Sequence, residues 1–234
     1  MRYPFFFDWT YILVLIGVVL SLWASSRVKS AFNKYSKMKT ISGTTGAQVA
    51  ERILQRSGIY DVSIQHVSGD LTDHYDPRTK TLKLSDSVYN ASSVAAAGVA
   101  AHECGHAMQH NQGYAPLAIR TAIVPVANFG STISWPLIII GLMMGGSQSQ
   151  LLINIGIILF STVVAFHLIT LPVELNASSR ALRILSETGI LHGDENDGAK
   201  KVLNAAALTY VASAAAMALQ LLRIVLLSRS RRNN

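Results

Sequence analysis

The stretch VAAAGVAAHECGHAMQH, residues 94–110, predicts one helix of the fold. Ser92 and Ser93 precede it, and serine is favoured at a helix start because its hydroxyl accepts a hydrogen bond from a backbone N–H. The run is rich in alanine, the strongest helix former. His102 and His106 lie four residues apart. Their imidazoles therefore leave the same face of the helix, about one turn from each other.

Two imidazoles at this spacing can bind one metal ion, with zinc–nitrogen distances of about 2.1 Å. Glu103 lies about 100° around the helix from His102, beside such an ion rather than on it. Its carboxylate can take a proton from an attacking water and pass it to a leaving amine. The pattern therefore predicts a Zn²⁺ site with Glu103 as general base and then general acid. Cys104, the only cysteine, faces away from both histidines and is interpreted as a packed thiol.

A catalytic zinc ion needs a third protein ligand and an open coordination position. His110 extends the same helical face, but it lies about 12 Å from His102 along the helix axis, too far to share one ion. We interpret His110 as a surface residue or as a support for a ligand. Glu174 is the better candidate. It starts the sequence ELNASSRA, whose small residues would let a second helix approach the first closely.

Half of the residues are hydrophobic and 14% are charged, against about 25% charged in an average soluble domain. Residues 9–26 form an uncharged run that can cross a bilayer, with a cleaved signal peptide as the weaker alternative. Residues 122–144 and 151–171 are two further candidate spans, joined by a polar turn at 145–150. The basic residues that carry the net charge of +7 sit mostly beside apolar runs. We therefore expect a membrane partner and no nucleic acid.

The segments between the spans predict an α+β, mostly helical domain. Residues 40–118 would hold a helix capped by Thr44 and Thr45, a small antiparallel sheet of three strands arranged as a meander, and the motif helix. Residues 172–203 would complete the domain with Glu174. Lys and Arg follow the first span, so the positive-inside rule places this domain in the cytoplasm. We expect the membrane to be a bacterial cytoplasmic membrane.

Two features of the later chain concern its helices. Pro172 is expected to break the third span just before Glu174. Residues 204–227 are apolar but are interrupted by Gln220 and Arg223. This last helix is either a fourth span or a helix that packs on the domain or lies at the membrane interface.

His-Glu-x-x-His, a transmembrane hairpin and then Glu-x-x-Ala-x-x-x-Ala resemble the HtpX-like membrane proteases and the CAAX prenyl protease. The chain looks still more like the YugP-like family of membrane zinc metallopeptidases, and the likeness covers nearly its whole length. The segments that carry it are DHYDP at 73–77, LSDSVY at 84–89, AAHECGHA at 100–107 and NAAALTY at 204–210.

The resemblance implies a gluzincin-like zinc peptidase, and in the HtpX-like family and the CAAX prenyl protease the Glu that matches Glu174 is the third zinc ligand. Those relatives usually carry, where this chain has Ser178, an Asp that supports a zinc-bound histidine. The support must therefore differ here. Peptide or protein substrates, with damaged membrane proteins among them, are expected by analogy with HtpX-like proteases.

Weaker signals remain at several positions. Arg180 and Tyr210 are candidate stabilisers of the oxyanion, with an interfacial anchor as the alternative for each. The segment 73–77 could form a second metal site, but a turn and an edge strand are favoured, because gluzincins bind substrate by adding it to the strand before the motif helix. His167, within the third span, is expected to be buried in the bundle.

Two other functions stay open. An intramembrane site-2-type protease also uses His-Glu-x-x-His, but it carries the motif inside a spanning helix and takes an Asp as third ligand. A non-catalytic membrane scaffold could keep zinc for structure, although such a site would not require Glu103. We therefore expect a membrane-anchored, zinc-dependent endopeptidase.

Overall fold

The computed structural model describes residues 8–144 and 147–232, without the side chains of residues 147, 231 and 232. Gly145 and Gly146, which belong to the predicted polar turn, lie outside the described residues. The α+β, mostly helical fold class is confirmed. The described elements are α1 (Tyr11–Tyr35), α2 (Gly46–Arg56), β1 (Ser63–His66), β2 (His74–Asp76), β3 (Thr81–Leu84), α3 (Asp86–Tyr89), α4 (Val94–Asn111), α5 (Ala115–Met143), α6 (Ser147–Glu187) and α7 (Asp194–Arg232).

The chain divides into two compact units. The helical unit comprises Met1–Ala24, Ile119–Leu171 and Thr209–Asn234. The mixed unit comprises Ser25–Ala118 and Pro172–Leu208, and it contains the sheet, α2, α3 and α4. The long helices α1, α5, α6 and α7 each contribute residues to both units.

The helices of the mixed unit begin where their caps predict. Thr45 accepts a hydrogen bond from the Gln48 backbone N–H, and the Gln48 side chain accepts one from the Thr45 backbone, which together form a capping box. Ser93 caps α4 by accepting a bond from the Ala96 N–H, 3.2 Å away. α4 presents small residues to the core, so α2 packs closely enough for the Cys104 thiol to contact the Ala50 carbonyl at 3.6 Å.

The order of the strands corrects one expectation. The sheet is mixed rather than an antiparallel meander, since β3 lies in the centre, parallel to β1 and antiparallel to β2. Hydrogen bonds attach the connection between β1 and β2 to the residues that follow β3. Asp73 accepts bonds from the Ser85 N–H and hydroxyl, and Asp86 accepts one from the Gly69 N–H. The fully buried Leu82 and Leu84 give β3 its central position.

The expected break at Pro172 is also corrected, because α6 is one continuous helix from Ser147 to Glu187. A proline removes one backbone hydrogen bond, which long apolar helices tolerate. Past the proline, one face of α6 is packed into the mixed unit, where Val173, Ala177 and Ala181 are fully buried. Burial of this face holds the helix together beyond the point where the local signal would end it.

Four described helices are long and apolar enough to cross a membrane, namely Tyr11–Tyr35, Ala115–Met143, Gln148–Glu187 and Asp194–Ser230. Length and composition therefore favour a fourth span for the last helix. In the helical unit the Arg223 guanidinium lies over the Tyr11 ring, 4.1 Å from its centroid, and 3.7 Å from the Asp8 carboxylate. These contacts explain how an arginine is accommodated within an apolar helix.

Candidate metal centre

Three side chains from two helices converge in the mixed unit. His102 and His106 come from α4, and Glu174 comes from α6, one residue after Val173. Oε2 of Glu174 lies 3.2 Å from Nε2 of His102 and 3.5 Å from Nε2 of His106. All three residues are at least nine-tenths buried. Among the described residues, they are the group of histidine, cysteine or carboxylate side chains that could hold a metal ion.

The two distances from the Glu174 oxygen suit a tetrahedral zinc ion. Ligands about 2.1 Å from a tetrahedral ion are separated from one another by roughly 3.4 Å. Both distances from the Glu174 oxygen are close to that value. Two imidazole nitrogens and one carboxylate oxygen are also a donor set that catalytic zinc takes in proteins, with the fourth position left open. These residues therefore fit zinc in donor chemistry and in the distance of Glu174 from each histidine, and the three ligand atoms all lie within 4.8 Å of one another.

Neighbouring side chains orient both imidazoles. Nδ1 of His102 is 3.1 Å from Oγ of Ser178, and Nδ1 of His106 is 3.0 Å from Oε1 of Gln109. With each Nδ1–H donated to these oxygens, the Nε2 lone pairs point toward Glu174 and are available to a metal. A serine hydroxyl is thus the partner of His102 at the position where the resemblance to HtpX-like proteases would place an Asp.

Gln109 was not singled out from the sequence, yet it connects the two helices of the site. It is fully buried. Its Nε2 donates to the Val173 carbonyl at 2.8 Å and to Oδ1 of Asn176 at 3.0 Å. Gln109 thus ties His106 to the turn of α6 that carries Glu174. Its position three residues after His106, on the same helical face, is the signal that could have identified it.

Glu103 is also buried, with 8% of its surface exposed. Among the described residues no hydrogen-bond donor is bound to its carboxylate. The charges nearby affect His106. Burial acts to lower the pKa of His106, but the Glu174 carboxylate beside it and the charge of Glu103 outweigh burial, and the pKa is raised. The site therefore stabilises positive charge, as a site for a divalent cation must.

The close approach of α4 and α6 depends on Gly105. A Cβ at this position would lie 2.5 Å from the carbonyl oxygen of Ala177. Gly98, about two turns earlier on α4, is less constrained, since a Cβ there would meet the Cβ of Ala199 at 3.4 Å, an ordinary contact. The glycine in the motif therefore lets the helix of Glu174 come within reach of the histidines.

Other residues predicted from the sequence lie as follows. His110 is bonded through Nδ1 to the Tyr75 hydroxyl at 2.8 Å and is not part of the ligand group. Burial raises the pKa of Tyr75 to about 12, so its hydroxyl stays protonated. Burial likewise raises the pKa of the Cys104 thiol, in keeping with a packed, inert cysteine.

The segment 73–77 is part of the sheet edge. β2 is an edge strand, as predicted. Asp76 accepts hydrogen bonds from the Arg78 N–H and the Thr79 hydroxyl, and Nδ1 of His74 is 2.9 Å from the Thr72 carbonyl. These local bonds favour the turn and edge strand over a second metal site.

The two candidate oxyanion stabilisers have different surroundings. Arg180 donates from Nε to Oδ1 of Asn176 at 2.7 Å and from Nη1 to Gln112, and it lies 5.8 Å from the centroid of the Tyr114 ring. Tyr210 is half-buried on α7 in the helical unit. His167, which was not a candidate stabiliser, is also half-buried in this unit, on α6 beside the Phe166 ring. The roles expected for Arg180 and Tyr210 stay predictions.

Comparison with known proteins agrees with this geometry. Residues 10–229 match the family model described as "Putative neutral zinc metallopeptidase", and the chain belongs to this family of zinc metallopeptidases. It is 50% identical over 215 residues to a Bacillus subtilis (strain 168) protein named "Putative membrane protease YugP". These aligned residues cover 92% of this chain and 94% of that protein. No solved structure matches the chain. The YugP-like resemblance and zinc as the metal are thereby confirmed.

Proposed function

We propose that the chain is a membrane-embedded zinc endopeptidase of the His-Glu-x-x-His plus Glu type. Residues 40–118 and 172–203 would make up its catalytic domain. The convergence of three side chains carries this proposal. Oε2 of Glu174 lies 3.2 Å from Nε2 of His102 and 3.5 Å from Nε2 of His106. When bound, zinc supplies a Lewis acid that polarises a peptide carbonyl and makes water acidic.

The chain's own residues would then perform the proton transfers. Glu103 lies on the same helix as both histidines, and no donor among the described residues competes for its carboxylate. It would accept a proton from the attacking water and donate it to the leaving amine. Ser178 and Gln109 would keep the imidazoles in the tautomer that leaves Nε2 free.

An extended peptide is the substrate that the sheet supports. β2 (His74–Asp76) is an edge strand, so one side of its backbone is open to pairing. Tyr75 of β2 is bonded to His110 on α4, one turn beyond the His106 ligand. A peptide added to this edge would run beside the motif helix. By analogy with HtpX-like proteases, damaged membrane proteins are the substrates we infer, and quality control is the role.

The catalytic domain would face the cytoplasm. Basic residues at 27, 29, 34, 37 and 39 follow the apolar run of α1, and such residues are retained on the cytoplasmic side. If the last helix is a fourth span, the residues that follow it would lie on the side of the membrane opposite the catalytic domain.

Two rival functions are less well supported. An intramembrane site-2-type protease would carry its motif inside a spanning helix, whereas α4 belongs to the mixed unit and is not among the candidate spans. A scaffold that holds zinc for structure would have no use for a buried, unengaged Glu103.

The decisive experiment compares the wild type with Glu103→Gln. The full chain, purified in a bilayer mimic, is tested for cleavage of an unfolded protein, and zinc is measured by elemental mass spectrometry. We expect equal zinc content and a loss of cleavage of about 10²- to 10⁴-fold, the usual contribution of a general acid–base group.

The outcomes separate two failures. Equal cleavage by both forms would remove Glu103 from the mechanism. Absence of zinc from both forms would remove the metal centre. Glu51→Gln, at an exposed position on α2, is the matched control and should cleave as the wild type does.

A further inference from the structure

A basic cleft of about 350 Å³ lies in the mixed unit, between α1 and α7. Three cationic side chains line it, Arg27 and Lys34 from α1 and Lys201 from α7. No Asp or Glu is among the described residues of the lining. The ligand that such a lining attracts is therefore an anion.

The cations are placed beside the ends of two apolar runs. Arg27 directly follows the apolar run of α1, and Lys34 lies about 10 Å further along the helix. Lys201 precedes Ala205, where the apolar run of α7 begins, by about 6 Å. The headgroup layer on each side of a bilayer is about 5 to 8 Å thick. If both helices span, the cleft is at the depth of lipid phosphates.

The remaining lining suits a molecule that is polar at one end and apolar at the other. Ser30 and Asn204 offer hydrogen-bond donors for phosphate oxygens, whereas Ala205 and Leu208 offer apolar contact. The Lys34 ammonium lies 5.4 Å from the centroid of the Tyr35 ring, which also lines the cleft. A free inorganic anion would use only the first part of this surface.

We propose that this cleft binds the headgroup of an anionic membrane phospholipid. The phosphodiester would contact the cations, and the glycerol and upper acyl chain would contact Ala205 and Leu208. Basic pockets between membrane helices on the cytoplasmic side are suited to such headgroups. The ordinary alternative is diffuse attraction between a basic surface and an anionic membrane, which would not depend on which lysines are present.

The chain offers a matched control for this alternative. Lys200 is adjacent to Lys201, is also exposed and does not line the cleft. Full-length protein in nanodiscs that contain phosphatidylcholine and phosphatidylglycerol is released into detergent, and the retained lipids are counted by native mass spectrometry. Lys201→Glu is compared with Lys200→Glu. The thermal transition and zinc content of each variant verify its fold.

We expect the wild type and Lys200→Glu to retain phosphatidylglycerol in preference to phosphatidylcholine. Lys201→Glu should lower this preference by at least about five-fold, the factor per basic residue near an anionic surface. The triple variant Arg27→Gln, Lys34→Gln, Lys201→Gln should abolish the preference, while Lys29→Gln, Lys37→Gln, Lys200→Gln should keep it.

Three results would overturn the proposal. The two triple variants could lose the preference equally, which would indicate diffuse attraction. The wild type could show no preference at all. Inorganic phosphate, or an acidic peptide, could displace the lipid at a comparable concentration, which would assign the cleft to a soluble anion or a protein partner. None of these readouts depends on cleavage, so they are independent of the proposed peptidase function.

Discussion

The two units of this protein differ in how much of their apolar side chains they leave exposed. In the helical unit Leu22 and Ile158 are each 66% exposed, as expected of side chains that face lipid. In the mixed unit Leu82 and Leu84 are fully buried, and the buried interior also holds the polar residues His102 and Glu174. Exposing an apolar side chain therefore costs less free energy in the helical unit, which is surrounded by hydrocarbon, than in the mixed unit, which is surrounded by water.

The helices also approach each other through different groups. In the helical unit a Cβ on Gly130 would lie 2.6 Å from the Leu159 carbonyl oxygen, so small residues set the packing, as is common in lipid. In the mixed unit Gly105 allows a similar approach, but hydrogen bonds from Gln109 also join the helices. A polar network can be kept in the mixed unit because every member has a partner.

The largest effect is expected at Glu174. Glu174→Gln removes the anionic ligand from a buried site and should weaken zinc binding by more than about 100-fold, beyond the 10- to 100-fold typical of residues that only support a ligand. Competition with a zinc chelator measures this affinity. Glu187→Gln, an exposed position on the same helix, should change nothing, and equal losses in both variants would contradict the assignment of Glu174.

The next effect contrasts the surroundings of the two units. Ile158→Lys places a charge near the middle of an apolar run and should make the free energy of membrane insertion less favourable by about 3 kcal/mol. Ile41→Lys, at a position that is 82% exposed in the mixed unit, should change stability by no more than about 0.5 kcal/mol.

The amount of full-length protein that resists carbonate extraction from membranes reports insertion, and the thermal transition reports folding. Similar behaviour of the two variants would mean that the helical unit does not face lipid at Ile158.

A smaller effect is expected at Gln109. Gln109→Leu leaves Nδ1 of His106 without its acceptor, and zinc affinity should fall by about 10- to 100-fold. Gln112→Leu is the matched substitution at the exposed residue that directly follows α4, and its zinc affinity should equal that of the wild type. If Gln109→Leu bound zinc as tightly as the wild type, the orienting role of this glutamine would be lost.

The smallest effect concerns the two glycines of α4. Gly105→Ala forces a methyl group against the Ala177 carbonyl and should destabilise the protein by about 1 to 2 kcal/mol, after allowance for the better helix propensity of alanine. Gly98→Ala meets an ordinary contact and should be neutral or slightly stabilising. Thermal unfolding in one detergent compares the variants, and the reverse order would contradict the observed helix approach.

Several elements could be predicted because their signals are local. The caps at Thr45 and Ser93, the motif helix and the four-residue spacing of the histidines all depend on interactions within one or two helical turns. Glu174 was predicted from its position after an apolar run and from the small residues that follow it. Gln109 was not predicted: its spacing from His106 places it on the ligand face, but nothing local indicates that it is fully buried and bonded to another helix.

The amino-acid order was sufficient for three candidate membrane segments, the motif helix and the choice of ligand types, since hydropathy, capping and helical periodicity act along the chain. Tertiary contacts were needed for the central place of β3, for the continuity of α6 through Pro172 and for the network that orients His106. Each of these depends on side chains distant in sequence, such as Asp73 with Ser85 or Gln109 with Asn176. Burial in the assembled unit outweighed the local preference at the proline, because the free energy of packing a whole helical face exceeds that of one missing hydrogen bond.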